Sequence, residues 1–359
     1  MYKKLLLGNK FYNFTYSLTT KIMLNKLSKG FFPITLLIFS CSTDIDFFDK
    51  WEEKAIIYGL IDPYDSIHSF RINKAFLNPD QNAYDVAKNH DSIYFDNIDL
   101  KLYSIYNGEV KDSFDVASLN NLNKDSGIFS YPDHILYQAN ADIIPEYDYK
   151  LVLRRPETNY EASGSTSIIN PNFSILQPSL VSKVVFFSDR VHRIKFTMPE
   201  HANSIDIKLQ FFYTEKLGGN EVSKNLILDL YNNLNNSNKS NELVTIEIAG
   251  LSFYNFLKNN IPYDKNIVRV VDSAQYHFSF IGEHITNYIR VQNAQTGIIQ
   301  SQSLPEYTNV NNGLGIISSK ISRTIYSKSF SNTTIDSISC SYLTKDLNFL
   351  DSDGVFGCQ

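Results

Sequence analysis

The stretch SIDIKLQFFY, Ser204–Tyr213, decides the fold class. Ile205, Ile207, Leu209, Phe211 and Tyr213 alternate with Asp206, Lys208 and Gln210, the period-two pattern of a strand with one buried face. Composition leans the same way. Of the 359 residues 43% are hydrophobic, enough for a core, and the aromatic share comes from 25 Phe and 23 Tyr, with Trp51 the single Trp. Tyr, Phe, Ile and Val favour strands. A net charge of −5, with Lys21–Lys29 the most basic stretch, lacks the basic footprint of a nucleic-acid binder.

Similar short runs recur on both sides. AIIYGLID (Ala55–Asp62) reads as a strand stopped by Pro63. HSFRINKAF puts His68, Phe70, Ile72 and Phe76 on one face. NIDLKLYSIY alternates through Ile98, Leu100 and Leu102 and then meets Asn107-Gly108, a strong hairpin turn. YDYKLVLRR sets Tyr147, Tyr149, Leu151 and Leu153 opposite Lys150 and Arg154. This rhythm predicts an immunoglobulin-like β-sandwich over 54–177, with 78–92 a polar exposed loop. The prolines of INPNFSILQP (Ile169–Pro178) mark a crossing to a second β-rich unit, 178–345, followed by a tail, 346–359. In that unit HRIKFTM, QYHFSFI and NYIRVQNA read as further strands, and NNGLGIISSK as a turn into another. GLSFYNFLKNNIP is its predicted helix, with Leu251, Tyr254 and Leu257 at helical spacing and Pro262 beyond. YNNLNNSNKSNE (Tyr231–Glu242) is an Asn-rich loop. The expected fold is mainly β, a sandwich and a second β-rich unit with about one helix.

Ahead of the strands lies MLNKLSKGFFPITLLIFSC, Met23–Cys41. Lys26 and Lys29 form a positive n-region and Phe31–Phe39 an apolar h-region of signal-peptide length. A bilayer crossing takes about 20 apolar residues, more than this run holds. Residues 1–22 read as an extension ahead of a start at Met23 or as a long n-region, with 23–40 the signal peptide. Ile38-Phe39-Ser40-Cys41 resembles the bacterial lipobox, a small residue before a Cys whose thiol takes a diacylglyceryl group. The resemblance implies that Cys41 becomes an acylated N-terminus. The alternative is a chance Cys in an ordinary secretory signal or a buried strand. Several acyl chains, at about 0.8 kcal/mol per buried CH₂, hold a protein on a membrane where one chain does not. Asp44, Asp46, Asp49, Glu52 and Glu53 make 41–53 an acidic, solvated tether. It is similar to the surface-export signal of Bacteroidota lipoproteins, or it is a plain charged linker. With Cys41 acylated, Cys340 and Cys358 remain, either as two free thiols or as one disulfide worth about 3 kcal/mol.

The lipobox, IIYGLIDPYDSIHSFRINKAFL (Ile56–Leu77) and YTNVNNGLGIISSK (Tyr307–Lys320) together resemble a group of Bacteroidota envelope lipoproteins with an N-terminal sandwich and no assigned activity. The resemblance implies a lipid-anchored outer-membrane protein with an envelope protein partner, such as an outer-membrane transporter. Asp-Ser-apolar triplets at Ser66, Ser92, Ser273 and Ser337 match the O-glycosylation sequon of that phylum. They read equally well as Asp-Ser turns opening strands.

Motifs that announce chemistry are missing from the sequence. The seven His are scattered outside HExxH and other tight metal spacings. Glu283-His284 is expected to point to opposite faces of a strand, and His68 to be a satisfied core or edge histidine. ASGST (Ala162–Thr166) lacks the GxSxG frame and reads as a turn. Asp351-Ser352-Asp353-Gly354 hints at a calcium loop, but Phe349 occupies the first ligand position. Phosphate-cradling glycine motifs are absent too. The expectation is a non-enzymatic binding or scaffolding lipoprotein with no catalytic residue, cofactor or metal. The rivals are a surface hydrolase acting on glycans, whose two carboxylates meet only in the fold, and a carbohydrate-binding protein that uses exposed Tyr.

Overall fold

The computed structural model describes residues 54–75, 82–123, 125–127, 129–130, 133–233, 240–295 and 307–356. The alternating runs of the first half form β1 (Ala55–Ile61), β2 (Ile67–Lys74), β3 (Asp99–Tyr106), β4 (Glu109–Asn123), β5 (Asp133–Asn140), β6 (Asp148–Arg155) and β7 (Tyr160–Ser167). Phe70 and Ile72 are buried as their alternation requires. Asn107 and Gly108 take positive φ of 52° and 80° and close the hairpin of β3 and β4. Part of the expected loop 78–92 is helical instead, α1 (Ala83–Ala87) and α2 (His90–Ile93). The Asn82 and Asn89 side chains accept from the amides of Tyr84 and Asp91 and so cap the two helices. Phe76 lies outside the described residues. The turn expected in ASGST is also corrected, since those residues lie within β7. Small side chains there let a neighbouring strand approach: a Cβ at Gly164 would sit 2.9 Å from Ile317 Cδ1.

The second half holds β8 (Ile175–Gln177), β9 (Val191–Thr197), β10 (Ala202–Leu217), β11 (Asn220–Asn233), β12 (Leu243–Ala249), β13 (Val268–Gly282), β14 (Val310–Asn311) and β15 (Gly313–Lys328). The predicted helix is present as α3 (Gly250–Asn260), and two more appear, α4 (Glu283–Gln295) and α5 (Asn332–Cys340). NYIRVQNA therefore belongs to a helix, not a strand. Ile289 and Val291 mimic alternation, but Ile285, Tyr288 and Ile289 follow helical spacing, and Thr286 Oγ1 bonds back to the Gly282 carbonyl at 2.8 Å.

Twelve strands form one sheet, in the order β11-β10-β13-β15-β1-β2-β5-β4-β3-β6-β7-β14, and β12-β9-β8 form a second. Strand β4 turns a corner: Glu109–Asp115 pair with β3, and Val116 onward with β5. The large sheet thereby folds over itself into a sandwich-like first core, where Ile57 and Phe70 of one layer meet Leu102 and Leu151 of the other. In the second core the inner faces of β10 and β13 pack on Ile194 and Phe196 of β9, Phe253 of α3 and Ile338 of α5. The two sets of core residues separate between Ile168 and Ile169, except that Val310 and Ile317 return to the first. The fold is mainly β.

Strand β15 serves both cores. Gly313–Ser319 run parallel to β1, in register with Ala55–Ile61, and Lys320–Lys328 run antiparallel to β13. The handover at Ser318 and Ser319 is fully buried, and their hydroxyls accept from the amides of Ile285 and Ile169. The C-terminal residues close the second core. Leu347 and Phe349 are buried there, and fully buried Arg269 donates to the Leu347 carbonyl (2.7 Å), the Pro262 carbonyl (3.1 Å) and Glu215 (3.0 Å). Removing either partner of such an enclosed pair strands a charge.

Gly315 permits the β1–β15 contact. Its φ is +107°, and a Cβ would lie 2.0 Å from the Ile57 carbonyl oxygen. Gly315→Ala is expected to cost about 3 kcal/mol, seen as a lowered urea midpoint. A midpoint equal to wild type would show that the contact relaxes freely.

Candidate functional site

An open cleft of about 410 Å³ lies on the second core, between the segments 176–187 and 190–193. The core fixes its walls. Val184 exchanges backbone hydrogen bonds with Ser329 and Ser331 at 2.8 and 2.9 Å, and the Phe186 amide donates to Thr334 Oγ1 on α5. The Tyr254 hydroxyl of α3 donates to the Phe186 carbonyl. Gly250, which opens α3, donates its amide to the Arg190 carbonyl at 2.8 Å. A Cβ at Gly250 would lie 1.9 Å from the Phe187 carbonyl oxygen, so only glycine admits this close approach.

The cleft is lined by cations and no carboxylate: Lys183, Arg190 and Arg193 are there with His192. Arg193 is paired with Glu247 at 2.8 Å. Lys183 instead donates to the Asn332 side chain at 3.3 Å, and the Arg190 guanidinium lies 5.0 Å from the Phe187 ring centroid. Beneath the rim, the Lys328 ammonium donates to the carbonyls of Ser179 (2.9 Å) and Leu180 (2.7 Å). Burial pulls this ammonium below the usual lysine range. On the rim itself Leu180 is 75% and Val181 95% exposed.

His192 is a wall group whose nitrogens are both committed. Its Nδ1–H donates to the Val185 carbonyl at 3.0 Å, so Nε2 accepts from the Tyr276 hydroxyl at 3.0 Å. Its ring stacks on Phe186 at 4.2 Å. Burial lowers its pKa, and burial raises that of Tyr276. His277 is bound likewise on the outer face of the large sheet. It bridges Thr324 and Gln210 at 3.1 and 3.0 Å, and Gln210 continues to Asn225, a polar ladder across four strands. Desolvation, then Lys208, lowers its pKa. His68 is the satisfied core histidine expected, 2% exposed and 3.0 Å from the Ala141 carbonyl. Glu283 and His284 open α4 rather than a strand, with His284 bonded to the Tyr307 hydroxyl at 2.9 Å and lowered in pKa by burial. The Asp351 carboxylate accepts from the amides of Asp353 and Val355, a closed turn.

The residues singled out in the sequence lie apart from the cleft. Cys41 and the whole stretch 23–53 are outside the described residues. Cys340 ends α5 and is disulfide-bonded; Cys358 is outside the described residues. Ser66 is exposed in the turn before β2. Ser92 is half-buried in α2 and Ser273 half-buried in β13. Ser337 lies in α5, its hydroxyl bonded to the Thr333 carbonyl at 2.7 Å. Only Ser66, then, occupies a turn that opens a strand. Sequence reasoning missed Lys183, Arg190 and Lys328. The signal available was local: Asp189 is the one acidic residue of 176–195, against Lys183, Arg190, Arg193 and Lys195.

No family model matches the chain, and no curated protein does. Among solved structures it is similar to the C-terminal globular domain of an oligosaccharyltransferase from Pyrococcus abyssi, at 11% identity and a TM-score of 0.23. The match covers 64% of this chain and 47% of that one, about half of its length. A likeness at that level carries no argument about activity. Among the described residues, no helix is long and apolar enough to cross a membrane.

His192, His277 and His284 shift in the same direction, so their effects on stability add in sign. Each is held neutral in the fold, whereas the unfolded chain takes up a proton near the ordinary value of about 6.5. Their contribution is fully present above that pH and is lost as pH falls through the depressed folded values. The urea midpoint is expected to fall between pH about 7.5 and about 5.5, and to fall less in His192→Asn. Equal falls in the two proteins would show that His192 contributes nothing to the pH dependence.

Proposed function

We propose that the chain is a lipid-anchored protein of the bacterial outer membrane that binds or scaffolds a partner and carries out no chemistry of its own. One observation carries this reading: a basic n-region, an apolar run, small Ser40 and Cys41 follow one another in the order of a lipoprotein signal. The acidic stretch after Cys41 supports it. Residues 42–53, fully extended, span at most roughly 40 Å, so a body starting at Lys54 stays within reach of the bilayer. An envelope protein such as an outer-membrane transporter is the partner this reading names.

Metabolic labelling with palmitate tests the anchor. Wild type is expected to carry label and to sediment with membranes, and Cys41→Ala to carry none and to be released. An unlabelled wild type would overturn the proposal.

A further inference from the structure

We propose that the cleft between 176–187 and 190–193 binds a phosphate-bearing group, with Lys183 and Arg190 meeting its oxygens. The charge there runs against that of the molecule. In a chain of net charge −5, three cations and, among the described residues, no acid line this cleft. Arg193 alone of the three has a carboxylate partner among the described residues. Lys328, 5% exposed beneath Ser179 and Leu180, adds a buried cation that donates to carbonyls rather than to a carboxylate, so its field is not cancelled. The planar guanidinium of Arg190 suits paired oxygens, and the Lys183 ammonium serves as a point charge beside it. Both side chains line one open space of about 410 Å³, whose wall beside Lys183 is held by the backbone bonds of Val184 and Phe186.

Such a phosphate comes either from a soluble compound or from a lipid headgroup, and the exposed Leu180-Val181 rim suits the second source as well as the first. The headgroup source rests on the membrane anchor proposed above; the soluble source does not.

The test uses the full chain carrying Cys41→Ala, so that acyl chains act in neither arm. In one arm, thermal unfolding is followed with inorganic phosphate against chloride of equal ionic strength, since a ligand of the folded state raises Tm. In the other, sedimentation with phosphatidylglycerol vesicles is compared with sedimentation with neutral phosphatidylcholine vesicles. Lys183→Gln/Arg190→Gln is set against Lys224→Gln/Lys265→Gln, which removes the same charge from exposed sites elsewhere. A phosphate-specific rise in Tm that the cleft pair alone abolishes supports the site with a soluble ligand. A preference for anionic vesicles that the cleft pair alone lowers, by roughly 30-fold for two cations near an anionic surface, supports it with a headgroup. If neither arm separates the cleft pair from the control pair, the proposal is overturned. Because Cys41 is replaced throughout, that outcome is independent of whether the wild type takes palmitate.

Discussion

Strand β15 spends Gly313–Ser319 beside β1 and Lys320–Lys328 beside β13, and the two hydrophobic cores are joined through it. The exchange leaves no gap in the pairing: Ser319 is in register with Ile61 of β1, and Lys320 with Ile281 of β13. Ser318 and Ser319 sit at that point with no exposure. Their hydroxyls receive the amide of Ile169, where the chain passes from one core to the other, and the amide of Ile285, at the start of α4. The two hydroxyls thus tie the crossing segment and the start of α4 to the buried middle of β15. Gly315 and Gly164 allow the close approach on which the same strand depends.

The cleft inherits its rigidity from this strand. Lys328 is the last residue of β15 and holds the rim carbonyls, and Ser329 and Ser331 directly after it pair with Val184. At the other end, the start of the fold is tied to the turn that leads into β15. The Ala55 amide donates to the Tyr160 hydroxyl at 2.7 Å, and that hydroxyl donates to the Asn312 carbonyl at 2.5 Å. These two bonds join β1, β7 and the turn into β15.

Much of the fold was legible in residues. Ser204–Tyr213 alternate because one face of β10 is core, and the same rule placed β1, β2, β3 and β6. Gly250–Asn260 announced a helix through spacing, and Asn107-Gly108 a hairpin through the positive φ that both residues take. What stayed hidden depends on contacts distant in the chain. ASGST looks like a turn until Ile317 of β15 is seen packed against Gly164, and Ile289 and Val291 alternate by accident within α4. The cleft was least visible, since Lys183 and Arg190 lie on its two facing segments and Lys328 arrives from a strand far along the sequence. The membrane anchor that we propose has the opposite character: it rests on the reading of Met23–Cys41 alone.

Hydrogen exchange along β15 under native conditions tests the shared strand most directly. Exchange of a core amide reports the free energy of the opening that exposes it. A strand shared by both cores predicts that amides bonded within 313–319 and within 320–328 open together, with one free energy equal to that of global unfolding and one urea dependence. Two separate free energies, with the β1-paired half opening while the β13-paired half stays protected, would contradict it.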